Sequence, residues 1–476
     1  MNGRRDQYKS LGGSGHGSGR RRKEAQNLAK SKREALLRTK RFRIAEGGGV
    51  GGAPAAGAAP ESGPVGGSRD GGDAPSTAGG SDDLRGLVDA VAAARGGCPP
   101  AEQQARLRRL RARLSSAHDA PLEDAVRFGA ADAVAPFLQG GIAPDLALEA
   151  AWIVSNIASS TDRETVEALL GLTHLLIYHV EDSAEALSEQ CASAVGNIAA
   201  ESERVRATLL KQNAMQSLYR KLLAGGSQAV TGAWAISNLV RGPFVDAISV
   251  LLSMEGCPAL LLAAMRADDN AALQAEVAWI LTYIAAGPTP LFQAVFTPEL
   301  IDALMGALAQ AGAGGGGGGG GPLGVWDGPN NPRGAVLVPA MRSLGNACAE
   351  GSDPVRLGVL QSAHTAKAVG VVAGALRSDR RLLQKDALFL LANLSGLRGP
   401  EGAALVRDSG AMLALYDILR VSTPTTPPLS PSFPPSLSLS LSLSLSLSSL
   451  SLLLSFSPSF CQLLHPIVRG IVSAIK

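Results

Sequence analysis

Aromatic side chains are scarce in this chain: Phe, Trp and Tyr make up 4% of its 476 residues. A core short of aromatics and rich in Ala and Leu suits closely packed helices better than a β-sandwich. Cysteine is equally sparse. Cys98, Cys191, Cys257, Cys348 and Cys461 are scattered, with no C-x-x-C pair. That pattern argues against a disulfide framework or a zinc site and leaves buried, reduced thiols as the expectation. The charged N-terminus lacks the apolar stretch of a secretory signal. The six histidines are dispersed; His174 and His179, five apart, read as surface residues rather than ligands. There is no nucleophile–base pairing, no phosphate-binding loop and no metal spacing. The chain therefore reads as a non-enzyme with no cofactor and no metal.

What is present is unevenly distributed. Residues 1–46 hold 14 Lys/Arg and 4 Asp/Glu, a net of +10, which leaves −7 for the remainder of a chain whose total is +3. A basic arm on a mildly acidic body suggests partners of opposite sign, or an arm that folds back on its own body. In the arm, Arg20, Arg21, Arg22 and Lys23 lead into a stretch of good helix formers with apolar positions Leu28, Leu36 and Leu37. The bland alternative is a solvated tail. Residues 47–80 are Gly/Ala/Pro/Ser-rich and read as a flexible linker. From Asp82 to about Leu419, within a domain placed at 82–421, the pattern is helical with short Gly, Pro and Asp punctuation. A Gly-rich insertion at 311–334 interrupts it and reads as a disordered surface loop. Residues 422–476 form a low-complexity tail in which Ser and Leu alternate over 436–447. A membrane helix is disfavoured there because about half the positions are Ser, and a strand would be an aggregation hazard. The codons TCT-CTC spell Ser-Leu, and read-through of a non-coding dinucleotide repeat, rather than genuine coding sequence, is the favoured reading.

One segment recurs within the helical region. It appears as Ala151-Trp152-Ile153-Val154-Ser155-Asn156, Ala192-Ser193-Ala194-Val195-Gly196-Asn197 and Ala233-Trp234-Ala235-Ile236-Ser237-Asn238. It returns as Ala278-Trp279-Ile280-Leu281-Thr282-Tyr283, Met341-Arg342-Ser343-Leu344-Gly345-Asn346 and Leu388-Phe389-Leu390-Leu391-Ala392-Asn393. The Asn or Tyr positions are spaced by 41, 41, 45, 63 and 47 residues, the longest step containing the Gly-rich insertion. An all-helical period of about 40–47 residues marks armadillo or HEAT arrays.

At 100° per residue, Trp152 and Asn156 share one helix face, and Glu149 joins the same stripe. Glu276, Trp279 and Tyr283 repeat the arrangement, as do Asp386, Phe389 and Asn393. Stacked side by side in a solenoid, equivalent helices turn these stripes into ladders along one concave surface. Three of the four tryptophans occupy this position; Trp326 lies in the insertion. Such ladders serve either interhelical packing or ligand binding. In the second case the Asn amides match the N–H and C=O of an extended peptide. The indoles form slots for Lys or Arg stems, with cation–π attraction of roughly 0.5–2 kcal/mol each. Carboxylates at the slot mouths then select cations.

These motifs resemble those of importin-α, over most of 1–420. The likeness extends to irregularities, since that family has Tyr for Asn in one repeat, as at Tyr283, and Arg for Trp in the next, as at Arg342. The resemblance implies an all-α, right-handed superhelical armadillo solenoid behind a disordered basic arm. Its implied function is that of a nuclear-import cargo adaptor shuttling between cytoplasm and nucleus. Glu149, Trp152, Asn156, Asn197, Glu201, Trp234 and Asn238 would form the major site for Lys/Arg-rich nuclear localisation signals. Glu276, Trp279, Tyr283, Arg342, Asn346, Asp386, Phe389 and Asn393 would form the minor site and its neighbourhood. Arg20, Arg21, Arg22, Lys23, Lys40, Arg41 and Arg43 match the segment that binds an importin-β-type carrier, and Lys40, Arg41 and Arg43 would occupy the major site when the carrier is absent.

Departures from the family pattern are expected to matter. Ser193 removes an indole wall, which would weaken signal binding about tenfold, and Phe389 replaces Trp more gently. The last repeats and acidic tail that engage an export receptor in the family have no counterpart here. The alternative reading is a divergent armadillo scaffold without general cargo transport. Direct nucleic-acid binding is disfavoured because the arm offers only Tyr8 and Phe42 for stacking, and membrane association is disfavoured with it.

Overall fold

The computed structural model of the protein describes residues 79–94, 97–115, 120–312, 333–378, 380–397 and 399–415. The arm, most of the linker, nearly all of the Gly-rich insertion and the Ser-Leu tail lie outside the described residues. Within them every regular element is helical, and the residues divide into two compact units, one ending at Cys257 and the other starting at Pro258.

The N-terminal unit opens with α1 (Gly79–Ala93) and α2 (Pro100–Leu114). Triplets follow, each made of two shorter helical elements and one long helix. The first comprises α3 (Leu122–Arg127), α4 (Ala130–Val134) with a 3-10 turn at Ala135–Leu138, and α5 (Pro144–Ile157). The second comprises α6 (Arg163–Glu167), a 3-10 turn at Ala168–Leu172 leading into α7 (Thr173–His179), and α8 (Glu185–Ala199). The third comprises α9 (Glu203–Lys211), α10 (Ala214–Leu223) and α11 (Gly226–Leu239), after which comes α12 (Val245–Ser253). The long helices α2, α5, α8 and α11 pack successively, each on the one before.

Helix α13 (Cys257–Arg266) bridges the boundary in sequence. The C-terminal unit continues with α14 (Ala271–Ala285), α15 (Thr289–Gln293), α16 (Pro298–Ala311), α17 (Gly334–Glu350), α18 (Asp353–Gln361), α19 (Thr365–Ala375), α20 (Arg381–Ser395) and α21 (Glu401–Asp408). Here α17 packs on α14, and α20 on α17.

Local chemistry sets the helix starts. Pro144 and Pro298 lie in the first turns of α5 and α16, where a missing N–H is no loss. Asp162 caps α6 by accepting from Thr165 N at 2.9 Å, and Asn270 caps α14 by accepting from Leu273 N at 3.0 Å. Helices α5 and α14 are buried nearly all round, and their sequences are correspondingly apolar. In α5, Ala147, Ala150, Ala151, Ile153, Val154 and Ile157 are all fully buried. Small residues at these positions let neighbouring helices approach closely. Some buried hydroxyls bond across helices: Ser343 Oγ on α17 donates to Ala278 O on α14 at 2.8 Å and lies 2.9 Å from Thr282 Oγ1.

Three cysteines, Cys191, Cys257 and Cys348, are buried. Burial pushes the Cys257 and Cys348 thiols up to about 12, far from the reactive range. His179 differs from its expected surface position. It is 3% exposed, with Nε2 donating to Leu138 O at 2.9 Å and Nδ1 at 3.1 Å from Asp182 Oδ2. Five residues on a helix amount to about 140° around its axis, so His174 faces solvent while His179 turns inward.

Candidate functional site

The ladder positions all fall on the long helices. In the N-terminal unit Glu149, Trp152 and Asn156 lie on α5, Ser193 and Asn197 on α8, and Trp234 and Asn238 on α11. Glu201 follows the end of α8, half-buried. In the C-terminal unit Glu276, Trp279 and Tyr283 lie on α14, Arg342 and Asn346 on α17, and Asp386, Phe389 and Asn393 on α20.

Four of the asparagines tie their long helix to the one before it. Asn156 Nδ2 donates to Ser115 Oγ at 2.8 Å and Asn197 Nδ2 to Ser155 O at 3.2 Å. Asn346 Nδ2 donates to Thr282 O at 3.3 Å and Asn393 Nδ2 to Gly345 O at 3.1 Å. The packing role weighed for these residues is therefore present at four of them, through one of the two amide groups. Each donating amide spends one N–H on the neighbouring helix, its second N–H and its oxygen being separate hydrogen-bonding groups. Asn197 Oδ1 is buried without a hydrogen-bond partner among the described residues.

The aromatic positions differ among themselves. Trp152 is half-buried, with the Arg111 guanidinium over its ring, 4.2 Å from the centroid. Arg111 also pairs with Glu149, Nε to Oε2 at 2.6 Å, while Arg108 Nε donates to Glu149 Oε1 at 2.8 Å. Glu149 thus meets two arginines of the chain itself, a different use from the cation-selecting mouth expected of it. Trp279 stacks on Tyr283, with ring centroids 6.4 Å apart and planes 29° apart. Arg342 lies 5.5 Å from the Trp279 centroid and donates through Nε to Asp386 Oδ1 at 2.9 Å. Asp386 is 5% exposed, and burial raises its carboxyl above the usual range against the pull of Arg342.

Trp234 is buried more deeply, at 5% exposure. Its ring packs on Gly196 so closely that a Cβ there would come within 2.4 Å of Cζ3. Phe389 rests on Gly345 in the same way, with a would-be Cβ 2.6 Å from its ring. Ser193, on the turn before Gly196, is 2% exposed and bonds back to Glu189 O at 2.9 Å.

Arg108, Arg111 and Ser115 were not among the residues singled out from the sequence. The signal for two of them was present: 152 − 41 is 111 and 156 − 41 is 115, so the ladder begins one repeat earlier, on α2. That helix has neither Trp nor Asn at these positions, and its arginines look like a solvated face. Arg20, Arg21, Arg22, Lys23, Lys40, Arg41 and Arg43 lie outside the described residues. Among the described residues no group of three His, Cys, Asp or Glu could hold a metal ion, and no single helix is long and apolar enough to cross a membrane.

No family model matches the chain. It is 32% identical over 426 residues to importin subunit alpha-9 of Arabidopsis thaliana, an alignment spanning 88% of this chain and 75% of that protein. The chain belongs to the importin-α family. A second importin-α relative, importin subunit alpha-2 of Oryza sativa subsp. japonica, is 32% identical over 293 residues, covering 61% of this chain and 51% of that one. Among solved structures, an engineered protein superposes with a TM-score of 0.57 at 22% identity, covering 71% of this chain and 74% of its own. Computationally designed armadillo repeat proteins for modular peptide recognition give a TM-score of 0.43 at 19% identity, covering 53% of this chain and 98% of theirs. The architecture is all-α and armadillo-type, as its importin-α kinship implies.

Proposed function

We propose that this importin-α family member is a cargo adaptor for nuclear protein import, shuttling between cytoplasm and nucleus. In this reading the ladder faces hold extended Lys/Arg-rich localisation signals, and the basic N-terminal arm binds an importin-β-type carrier. The observation that carries the reading is the guanidinium of Arg111 on Trp152 beside Glu149. An indole face next to a carboxylate, at a ladder position, is a site with the chemistry to hold a basic side chain. The same combination at Arg342, Trp279 and Asp386 supports it.

The test is an anisotropy titration of a fluorescent Lys-rich localisation peptide against the full chain, at physiological salt and with an importin-β carrier present to engage the arm. Micromolar or tighter binding is expected, falling at least tenfold in an Asn156→Ala/Asn238→Ala variant. Two observations favour the scaffold alternative: the Asn nitrogens engaged between helices and the Ser at 193. Absence of peptide binding by the folded protein would establish that alternative instead.

A further inference from the structure

We propose that Arg111 is the resident occupant of the slot between α2 and α5, closing it to incoming cations and setting where on the N-terminal unit a basic peptide is held. The inference rests on the adaptor reading. Three features of the site carry it.

The first is saturation. A Lys or Arg entering this slot would need the Trp152 face and the Glu149 carboxylate. The Arg111 guanidinium covers the face at 4.2 Å and pairs with Oε2 at 2.6 Å. Arg108 pairs with the other oxygen at 2.8 Å, and the Glu149 side chain is only 7% exposed. Two guanidinium groups against one carboxylate leave the cluster with an excess positive charge. An ammonium approaching it meets repulsion rather than a free counter-ion.

The second is register. Arg111 stands 41 residues before Trp152, the same step that separates Trp152 from Ser193 and Ser193 from Trp234. It is a ladder residue whose own side chain substitutes for a ligand's, and a distant surface arginine would not share that step.

The third is repetition. Arg342, at the same ladder position, lies over Trp279 and pairs with Asp386. A ladder arginine and a covered indole on an adjacent long helix occur together in both cases, Trp152 lying on the helix after Arg111 and Trp279 on the helix before Arg342.

The experiment compares wild type, Arg111→Gln and Arg111→Lys as full chains, with the same fluorescent Lys-rich peptide and carrier. Arg108 still neutralises Glu149 in each variant, so the carboxylate is not stranded. Opening the slot is expected to tighten peptide binding about tenfold in Arg111→Gln, the worth of one cation–π contact with its counter-charge. Arg111→Lys, which keeps a cation there, is expected to stay within about threefold of wild type. Peptide-dependent quenching of tryptophan fluorescence should grow in the Gln variant only. If Arg111→Gln fails to fold, Arg111→Met, which keeps an apolar stem over the indole, takes its place. Equal or weaker binding by a folded Gln or Met variant overturns the inference alone. Absence of binding by every form overturns the adaptor reading and the inference with it.

Discussion

At the scale of single residues, a ladder asparagine ties one long helix to the next. Asn197 is fully buried and donates to Ser155 O on the neighbouring helix. Replacing it with Ala strands that carbonyl and is expected to destabilise the chain by about 1–3 kcal/mol, read as a lower urea midpoint with an unchanged slope. The six ladder motifs were legible because Trp, Asn and Tyr are rare enough to stand out against a background of Ala and Leu. Arg111 and Ser115 were not, because an arginine among the four others of α2 carries no mark of its own and only the 41-residue step picks it out. His179 was misread for a related reason: its partners, Leu138 O and Asp182, belong to different turns and no local pattern announces them.

At the scale of elements, the long third helices could be read directly, since the motif is their sequence. The shorter pieces could not be delimited, because a five-residue helix such as α6 or the 3-10 turn at Ala168–Leu172 holds its shape through packing rather than propensity. Packing also sets an unusual charge on α10. Lys221 is 3% exposed, with Nζ donating to Ser188 Oγ at 2.8 Å and to Gln228 Oε1 at 3.3 Å. Burial lowers its pKa below the ordinary 10.5, although Glu189 and Glu185 pull the other way. Between the lowered folded value and 10.5 the unfolded chain binds more protons than the folded one, so this lysine's contribution to stability grows as pH rises through that window and is lost as pH falls. In Lys221→Met the contribution is absent. The melting temperature of wild type minus that of the variant is therefore expected to increase from pH 7 to pH 10, measured by circular dichroism.

At the scale of the whole molecule, the net +10 of residues 1–46 against −7 for the rest is a property of composition that no local structure is needed to see. Under the adaptor reading, an arm of that charge competes with basic peptides for the body. Alanine at Lys40, Arg41 and Arg43 together is expected to tighten binding of a Lys-rich peptide about tenfold in the absence of carrier. The gain should shrink as salt is raised from 50 to 300 mM, values chosen to take the Debye length from roughly 14 to 6 Å. The helical class and the repeat period were visible in the sequence because both are periodic. The filling of the Trp152 slot was not, since it depends on two helices meeting. The glycines beneath Trp234 and Phe389 extend this point to the history of the family. Where a ring rests on a neighbouring backbone with no room for a methyl group, neither position can change freely while the other stays fixed. Gly196 with Trp234, and Gly345 with Phe389, should therefore covary among descendants of this chain, large residues at 196 or 345 arising only after the ring has been lost.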